Sequence, residues 1–258
     1  MAAPLIAIDK VSKAYSGGAA LTDVSLSIAQ GEFVALVGTS GSGKTTTLKT
    51  INRLIDPDTG EVRLDGKSVC GQSGPLLRRS IGYVFQGVGL FPHLTVAENI
   101  AVTPRLLGWP ADDITKRVAE LLRLVALPQA YADRFPAALS GGERQRVGVA
   151  RALAAKPRLM LMDEPFGALD PVTRIELGDA YRALHNRLGL TTVMVTHDVS
   201  EAVLLADRIV VMKGGRVLAD DTPRNLLSNA ADPDVAALMA TPKQQADRVS
   251  ALMAKPHE

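Results

Sequence analysis

The run Phe33-Val34-Ala35-Leu36-Val37 passes directly into Gly38-Thr39-Ser40-Gly41-Ser42-Gly43-Lys44-Thr45 and then into a helical pattern reaching Leu54. The reading of the chain turns on this stretch. Five consecutive apolar residues without polar alternation suit a parallel strand covered on both faces. The glycines behind it let successive backbone N–H groups turn inward around an anion, and the following helix N-terminus adds roughly half a positive charge. Lys44 would then pair with the β- and γ-oxygens of a nucleotide, and the Thr45 hydroxyl would face Mg²⁺. The competing reading is a flexible Gly/Ser surface turn, but a phosphate-binding loop requires this strand, loop and helix context.

Working outward, further β-rich runs occur at Leu5-Ile8, Ile81-Phe85, Leu159-Met162, Thr192-Val195 and Ile209-Met212. Alternating with helical patterns, they predict an α/β fold. Between Gln86 and Lys156 the pattern changes, because Thr95-Leu107, Asp112-Ala126 and Glu143-Ala155 read as helices with no strong strand between them. A helical subdomain inserted in the α/β core is expected over about residues 87–156. Arg208-Val211 and Val217-Leu218, joined through Gly214-Gly215, predict a late hairpin whose glycines supply positive φ. The stretch after Asp220 reads as one short and one longer helix, too little for another regulatory domain. The cassette so predicted spans residues 1–240, with a helical tail over 241–258.

The 258 residues carry 29 Lys+Arg against 27 Asp+Glu and are 47% hydrophobic. A chain of this length buries about 70% of its unfolded surface, so this composition fills a core and excludes intrinsic disorder. The balanced charge argues against a dedicated nucleic-acid binder. Cys70 is the only cysteine, so no intramolecular disulfide forms. Met1 to Lys10 lacks a basic leader region. The longest uncharged stretch, Ser80 to Ala97, is broken by Gly82, Gln86, Gly87, Gly89 and Pro92, so it falls short of the roughly 20 apolar residues of a spanning helix. Work at a membrane would require recruitment by a partner.

Two further segments carry chemistry. Leu159-Met160-Leu161-Met162-Asp163-Glu164 places two carboxylates at a buried strand end, where open α/β sheets build ligand sites. Consecutive strand residues face opposite ways, so Asp163 could hold Mg²⁺ while Glu164 polarises a water in line with a γ-phosphorus. A solvated Asp-Glu-Pro turn is the alternative. Leu139-Ser140-Gly141-Gly142-Glu143-Arg144-Gln145 opens a helix on which Ser140 and Glu143 fit a capping box. The same hydroxyl and bare amides would equally make a second anion site, and the two glycines allow close backbone approach.

With these segments placed, the resemblance is specific. Gly38-Thr45 resembles Walker A, Leu159-Asp163 resembles Walker B, and Leu139-Gln145 resembles the signature sequence of ABC-transporter ATPases, in that family's order and spacing from Leu5 to about Leu218. The resemblance implies a P-loop NTPase (RecA-like) core with an antiparallel β subdomain and the inserted helical subdomain. It implies ATP and Mg²⁺ as ligands. Nucleotide would be held by Gly38, Thr39, Ser40, Gly41, Ser42, Gly43, Lys44, Thr45 and Thr46, and by Ser140, Gly141 and Gly142 from a second copy. Tyr15 matches the residue that stacks on adenine, Gln86 the Q-loop residue, and Gly167-Ala168-Leu169-Asp170 the D-loop. In the D-loop, Gly167 stands where many relatives carry Ser. His197 matches the switch histidine, Glu164 the catalytic carboxylate, and Thr45, Gln86 and Asp163 the Mg²⁺ shell. Read alone, Tyr15 and Gln86 would be packing and loop residues, and His197 a strand-end histidine beside an Asp198-to-Glu201 capping pattern. Asp170-Pro171 also suits a helix N-cap with proline at the first helical position. His93, His185 and His257 lack such context and read as surface residues.

In that family each nucleotide lies between one chain's P-loop and the other's signature segment, so the resemblance implies a two-fold dimer in the ATP-bound state. It further implies two transmembrane permease subunits, a substrate-binding protein, attachment at the cytoplasmic face of the inner membrane, and no nucleic acid. Gly89-Leu90-Phe91-Pro92-His93-Leu94-Thr95-Val96 would offer an apolar patch for a permease helix, or else pack locally. Ile51-Asn52-Arg53-Leu54-Ile55, Gly87-His93 and Leu106-Leu107-Gly108-Trp109 resemble uptake ATPases for quaternary amines such as glycine betaine, choline, carnitine or proline. Many of those carry a paired regulatory module after the cassette, which this chain is expected to lack. An importer of another small solute, such as amino acids, and a soluble non-transport ABC ATPase are the alternatives.

Overall fold

The computed structural model describes residues 3–87, 89–167 and 169–253. Along the chain run β1 (Ile6–Tyr15), β2 (Gly18–Ile28), β3 (Phe33–Val37), α1 (Lys44–Ile51), β4 (Thr59–Leu64), β5 (Lys67–Ser68), α2 (Gly74–Arg79), β6 (Ile81–Val84), α3 (Val96–Leu106), α4 (Ala111–Leu124) and α5 (Gly141–Leu153). There follow β7 (Leu159–Asp163), α6 (Pro171–Leu188), β8 (Thr191–Val195), α7 (Val199–Leu205), β9 (Arg208–Lys213), β10 (Arg216–Asp221), α8 (Pro223–Asn229) and α9 (Pro233–Met253).

The expected α/β architecture is present as two sheets. A six-stranded sheet has the order β10-β9-β3-β8-β7-β6, parallel except for the β9–β10 hairpin. β3 lies inside it with all five residues buried, as the unalternating apolar run predicts. Phe33, Ala35 and Val37 point into one core, shared with the helices; Val34 and Leu36 point into the other, with Leu48 and Ile51 of α1 and the second sheet. α3, α4 and α5 lie in the chain between β6 and β7, and Thr95 and Ser140 open α3 and α5 through complete capping boxes.

The second sheet, β2-β1-β4-β5, is antiparallel. It corrects the local reading of the N-terminus. The strand expected at Leu5-Ile8 extends to Tyr15, and a further strand, β2, whose second half alternates as Val24-Ser25-Leu26-Ser27-Ile28, pairs with it across the turn at residues 16–17. β1 carries register shifts at Val11 and Lys13, which break the strict alternation that a sequence pattern relies on. The short and long helices expected after Asp220 are α8 and α9, and α9 continues through residue 240 without a break.

The β9–β10 turn does more than close a hairpin. Gly214 and Gly215 have φ of 55° and 75°, as a primed turn needs. Gly215 N donates to Ser42 O (3.1 Å), and Gly215 O accepts from Thr22 N (2.9 Å). A Cβ on either Gly43 or Gly215 would stand 2.7 Å from Ala20 O. The phosphate loop is therefore clamped between β2 and the late hairpin by backbone contacts that only glycine permits.

Candidate functional site

β3 delivers the chain into the loop, and Gly43 at φ 100° turns it into α1. Ser42 and Lys44 are buried, Gly38 packs under the loop, and Thr39, Ser40 and Gly41 are exposed around its rim. The Lys44 ammonium donates to Gly38 O and Thr39 O, both at 2.8 Å, and to Ser42 Oγ at 3.3 Å. Burial pushes its pKa down, with Glu164 and Asp163 pulling the other way. Thr46, in the first turn of α1, is half-buried.

Asp163 ends β7 and is buried; its Oδ1 accepts from Thr45 Oγ1 at 2.8 Å. Burial raises its pKa, the neighbouring Glu164 adds to this, and the Thr45 hydrogen bond and Lys49 oppose it. Hard oxygens from a hydroxyl and a carboxylate, this close together, fit Mg²⁺ rather than a softer ion. Glu164 leaves the strand in the left-handed region (φ 47°), uncommon for a non-glycine residue. Its N–H donates to Val195 O at 2.9 Å, which carries the β7–β8 pairing one residue beyond the strand.

Two other predicted residues converge on that carboxylate. Gln86 Nε2 donates to Glu164 Oε2 at 3.0 Å, and His197 Nδ1 lies 3.5 Å from the same oxygen. His197 follows β8 with most of its side chain exposed. Lys44, Thr45, Asp163, Glu164, Gln86 and His197 thus form one constellation at the C-terminal edge of the parallel sheet, where such sheets bind ligands.

The remaining predicted residues lie apart from it. Ser140, Gly141 and Gly142 start α5, where Ser140 Oγ accepts from Glu143 N (3.2 Å) and Glu143 Oε2 accepts from Ser140 N (2.7 Å). They line an open concavity of about 350 Å³ together with Leu169, Asp170 and Thr173. Asp170 caps α6 by accepting from Thr173 N at 3.0 Å, with Pro171 at the first helical position. Ala168 lies outside the described residues, as do Val88 and His257. Tyr15 ends β1, half exposed, with Lys13 Nζ 5.8 Å from its ring centroid. Beside Gln86, Phe85 and Phe91 are exposed on a groove of about 450 Å³ floored by Arg151, whose Nη1 donates to Gly89 O at 2.6 Å.

His185 corrects the sequence reading. It is buried rather than on the surface, with Nδ1 3.0 Å from Thr192 Oγ1 and its ring 5.2 Å from that of Phe33. Its position on the inner face of α6 is set by Leu177, Tyr181 and Leu184, an apolar stripe that includes residue 185 at helical spacing. Two residues at the site gave no signal of their own. Tyr83, on β6, has its pKa raised by burial and by Asp163. Arg174, on α6, reaches the residues flanking His197 through contacts described below.

Comparison with known proteins fits this geometry. The ABC transporter family matches residues 21–167. A choline transport ATP-binding protein of Bacillus subtilis (strain 168) is 51% identical over 229 residues, 88% of this chain and 60% of that protein. A glycine betaine uptake system ATP-binding protein of Escherichia coli (strain K12) is 47% identical, over 88% of this chain and 74% of its own length. This chain therefore spans about three-fifths of the first relative's length. A dimeric ATP-binding cassette bound to ADP and Pi in a post-hydrolysis state superposes with a TM-score of 0.77 at 36% identity, covering 84% of this chain and 98% of that one. A Clostridium perfringens component of the cbiONQ ABC transporter complex gives 0.81 at 28% identity over 98% of this chain and all of that one. With the family match covering more than half of its residues, and the three diagnostic segments folded at the sheet edge and at the start of α5, this chain belongs to the ABC transporter family as an ATP-binding cassette.

Proposed function

We propose that this chain is the ATP-hydrolysing, energy-coupling subunit of an ABC importer for quaternary-amine osmoprotectants such as glycine betaine, choline, carnitine or proline. The observation that carries the chemistry is the convergence of Gln86 and His197 on one oxygen of Glu164, beside the Lys44 loop and the Thr45–Asp163 pair. The relatives named for choline and glycine betaine uptake support the cargo class. No helix among the described residues is long and apolar enough to cross a membrane. The path for the solute would then belong to two permease subunits, fed by a substrate-binding protein, with this chain peripheral on the cytoplasmic face of the inner membrane.

In this reading the adenine stacks on Tyr15, the N–H groups of residues 38–46 surround the phosphates, and Lys44 holds the β- and γ-oxygens. Thr45 and Asp163, with Gln86 nearby, would hold Mg²⁺, which when bound neutralises charge on the β- and γ-oxygens. Glu164 orients the attacking water and accepts its proton, while His197 donates to the γ-phosphate. Phosphoryl transfer requires mainly this positioning and charge compensation. Ser140 and Gly142 of a second copy close the site, so ATP joins the two cassettes and hydrolysis lets them part, a ligand-driven shift between two states. The groove at Phe85 and Phe91 would receive a permease helix, next to Gln86, which reports on the nucleotide.

The test is Glu164→Gln. ATP binding persists, turnover falls nearly to zero, and size-exclusion chromatography with ATP shows a dimer; unchanged hydrolysis would remove Glu164 from the reaction. For the cargo, the complex reconstituted with its permease subunits and binding protein should accumulate radiolabelled glycine betaine or choline in an ATP-dependent way. A sulfate/thiosulfate import relative from Thermosynechococcus vestitus, 49% identical, favours a different solute as the second reading. Sulfate uptake by the same complex would establish it.

A further inference from the structure

A polar chain that none of the roles above uses runs from α6 to the end of β8. Arg174 Nη2 donates to Leu169 O at 3.1 Å, Nη1 donates to Asp198 Oδ2 at 3.3 Å, and Nε stands 3.6 Å from Glu201 Oε1. The other oxygen of the buried Glu201 carboxylate accepts from Thr196 Oγ1 at 2.6 Å, and that hydroxyl in turn accepts from Asp198 N at 3.0 Å. Asp198 Oδ1 accepts from Ser200 N (2.8 Å) and Glu201 N (3.3 Å), which caps α7. The capping pattern from Asp198 to Glu201 is therefore only half reciprocal. Glu201 bonds the Thr196 hydroxyl in place of the Asp198 amide, so the loop is tied on both sides of residue 197.

His197 sits between these two anchored residues. Its backbone is held at Thr196 and at Asp198, while its imidazole projects freely toward Glu164. The same guanidinium holds the carbonyl of Leu169, the residue before Asp170, on the turn that lines the concavity under Ser140. One planar fork thus joins the turn before α6 to the loop carrying His197, a geometry suited to guanidinium and not to an ammonium.

From this arrangement we infer that Arg174 is a positioning residue that fixes His197 against Glu164 and locks the Leu169–Asp170 turn to it, so that the partner-facing turn and the γ-phosphate contact move as one unit. The inference rests on the ATP-hydrolysis reading above. Burial of Glu201, whose pKa is raised mainly by that burial, fits a carboxylate that needs Arg174 and Thr196 as partners. Displacing a catalytic contact by about 1 Å costs on the order of a hundredfold in rate. The P-loop contacts of Lys44 lie elsewhere, so ground-state nucleotide binding should be spared.

The experiment is steady-state ATPase kinetics of the full chain for Arg174→Ala, Arg174→Lys and Thr196→Val, with thermal melting of each. Arg174→Ala is expected to lower kcat about 10- to 100-fold, with KM for MgATP within about twofold, and Arg174→Lys not to restore it. Thr196→Val, which keeps the side-chain volume and severs the link from Glu201 to Asp198, should reproduce the loss and add little to Arg174→Ala in the double variant. Should Arg174→Ala prove too unstable to assay, the Thr196→Val split alone decides. Unchanged kcat in the folded variants, a rise in KM alone, or full recovery with lysine overturns the inference. Absence of Glu164-dependent hydrolysis in the parent protein would instead overturn the reading on which it rests.

Discussion

Lys44→Ala separates two views of how the phosphate loop works. In this structure the ammonium already has three acceptors, the carbonyls of Gly38 and Thr39 at 2.8 Å and Ser42 Oγ at 3.3 Å. Binding a triphosphate exchanges neutral acceptors for charged ones, so the gain is a difference, not the full value of three contacts. A charge-assisted hydrogen bond contributes about 1.5–3 kcal/mol net, so three counted independently would exceed about 4 kcal/mol. The exchange limits the benefit to roughly one such bond, about 1.5–3 kcal/mol, or about a 10- to 150-fold rise in Kd. Burial and the neighbouring carboxylates act on the Lys44 pKa in opposite directions, with burial prevailing, so affinity should also weaken at strongly alkaline pH. The assay is a titration with a fluorescent ATP analogue in the presence of Mg²⁺, with thermal melting of the empty variant as the folding control. A Kd within about twofold of the parent would refute the phosphate role. A loss beyond about a thousandfold, more than 4 kcal/mol, would refute the exchange argument, because it would mean that the three contacts add.

Two further predictions concern stability. Gly82→Ala puts a methyl group inside contact distance of Met160 Sδ and 2.7 Å from Ala152 O, the latter on the backbone of α5, which cannot swing aside. Overpacking of this kind costs about 1–3 kcal/mol, visible as a lower urea midpoint; an unchanged midpoint would mean that α5 does not approach β6 this closely at Gly82. His185 has its pKa lowered from the ordinary 6.5, by burial first and Arg182 second. Its unfolded form therefore binds the proton more readily, so this contribution to stability is present above about pH 6.5 and is lost as the pH falls below it. The melting temperature should drop more steeply between pH 7 and pH 5.5 in the parent protein than in His185→Leu, and parallel slopes would contradict the buried, neutral assignment.

What was legible beforehand lies mostly within a few residues along the chain. The capping box at Ser140–Glu143 and the Asp170–Pro171 start are contacts three residues apart or closer, so their geometry follows once a helix forms. The phosphate loop was readable because glycine positions, a lysine and a hydroxyl recur at fixed spacing between a strand and a helix. β2 was legible only over its second half, where Val24, Leu26 and Ile28 turn inward in strict alternation with exposed Ser25 and Ser27; Leu21 falls out of that rhythm, and the pairing with β1 shifts register.

The sequence by itself determined the α/β class, the nucleotide loop and the identity of the carboxylates, because each depends on local periodicity or on residue types at short spacing. The tertiary structure alone decided which side chains meet Glu164, that His185 meets Thr192 and Phe33, that the hairpin at Gly214–Gly215 clamps the P-loop, and that Arg174 grips the loop around His197. Those contacts join residues between about 7 and 170 positions apart. Their partners are selected by sheet order and helix packing, which no run of neighbouring residues encodes.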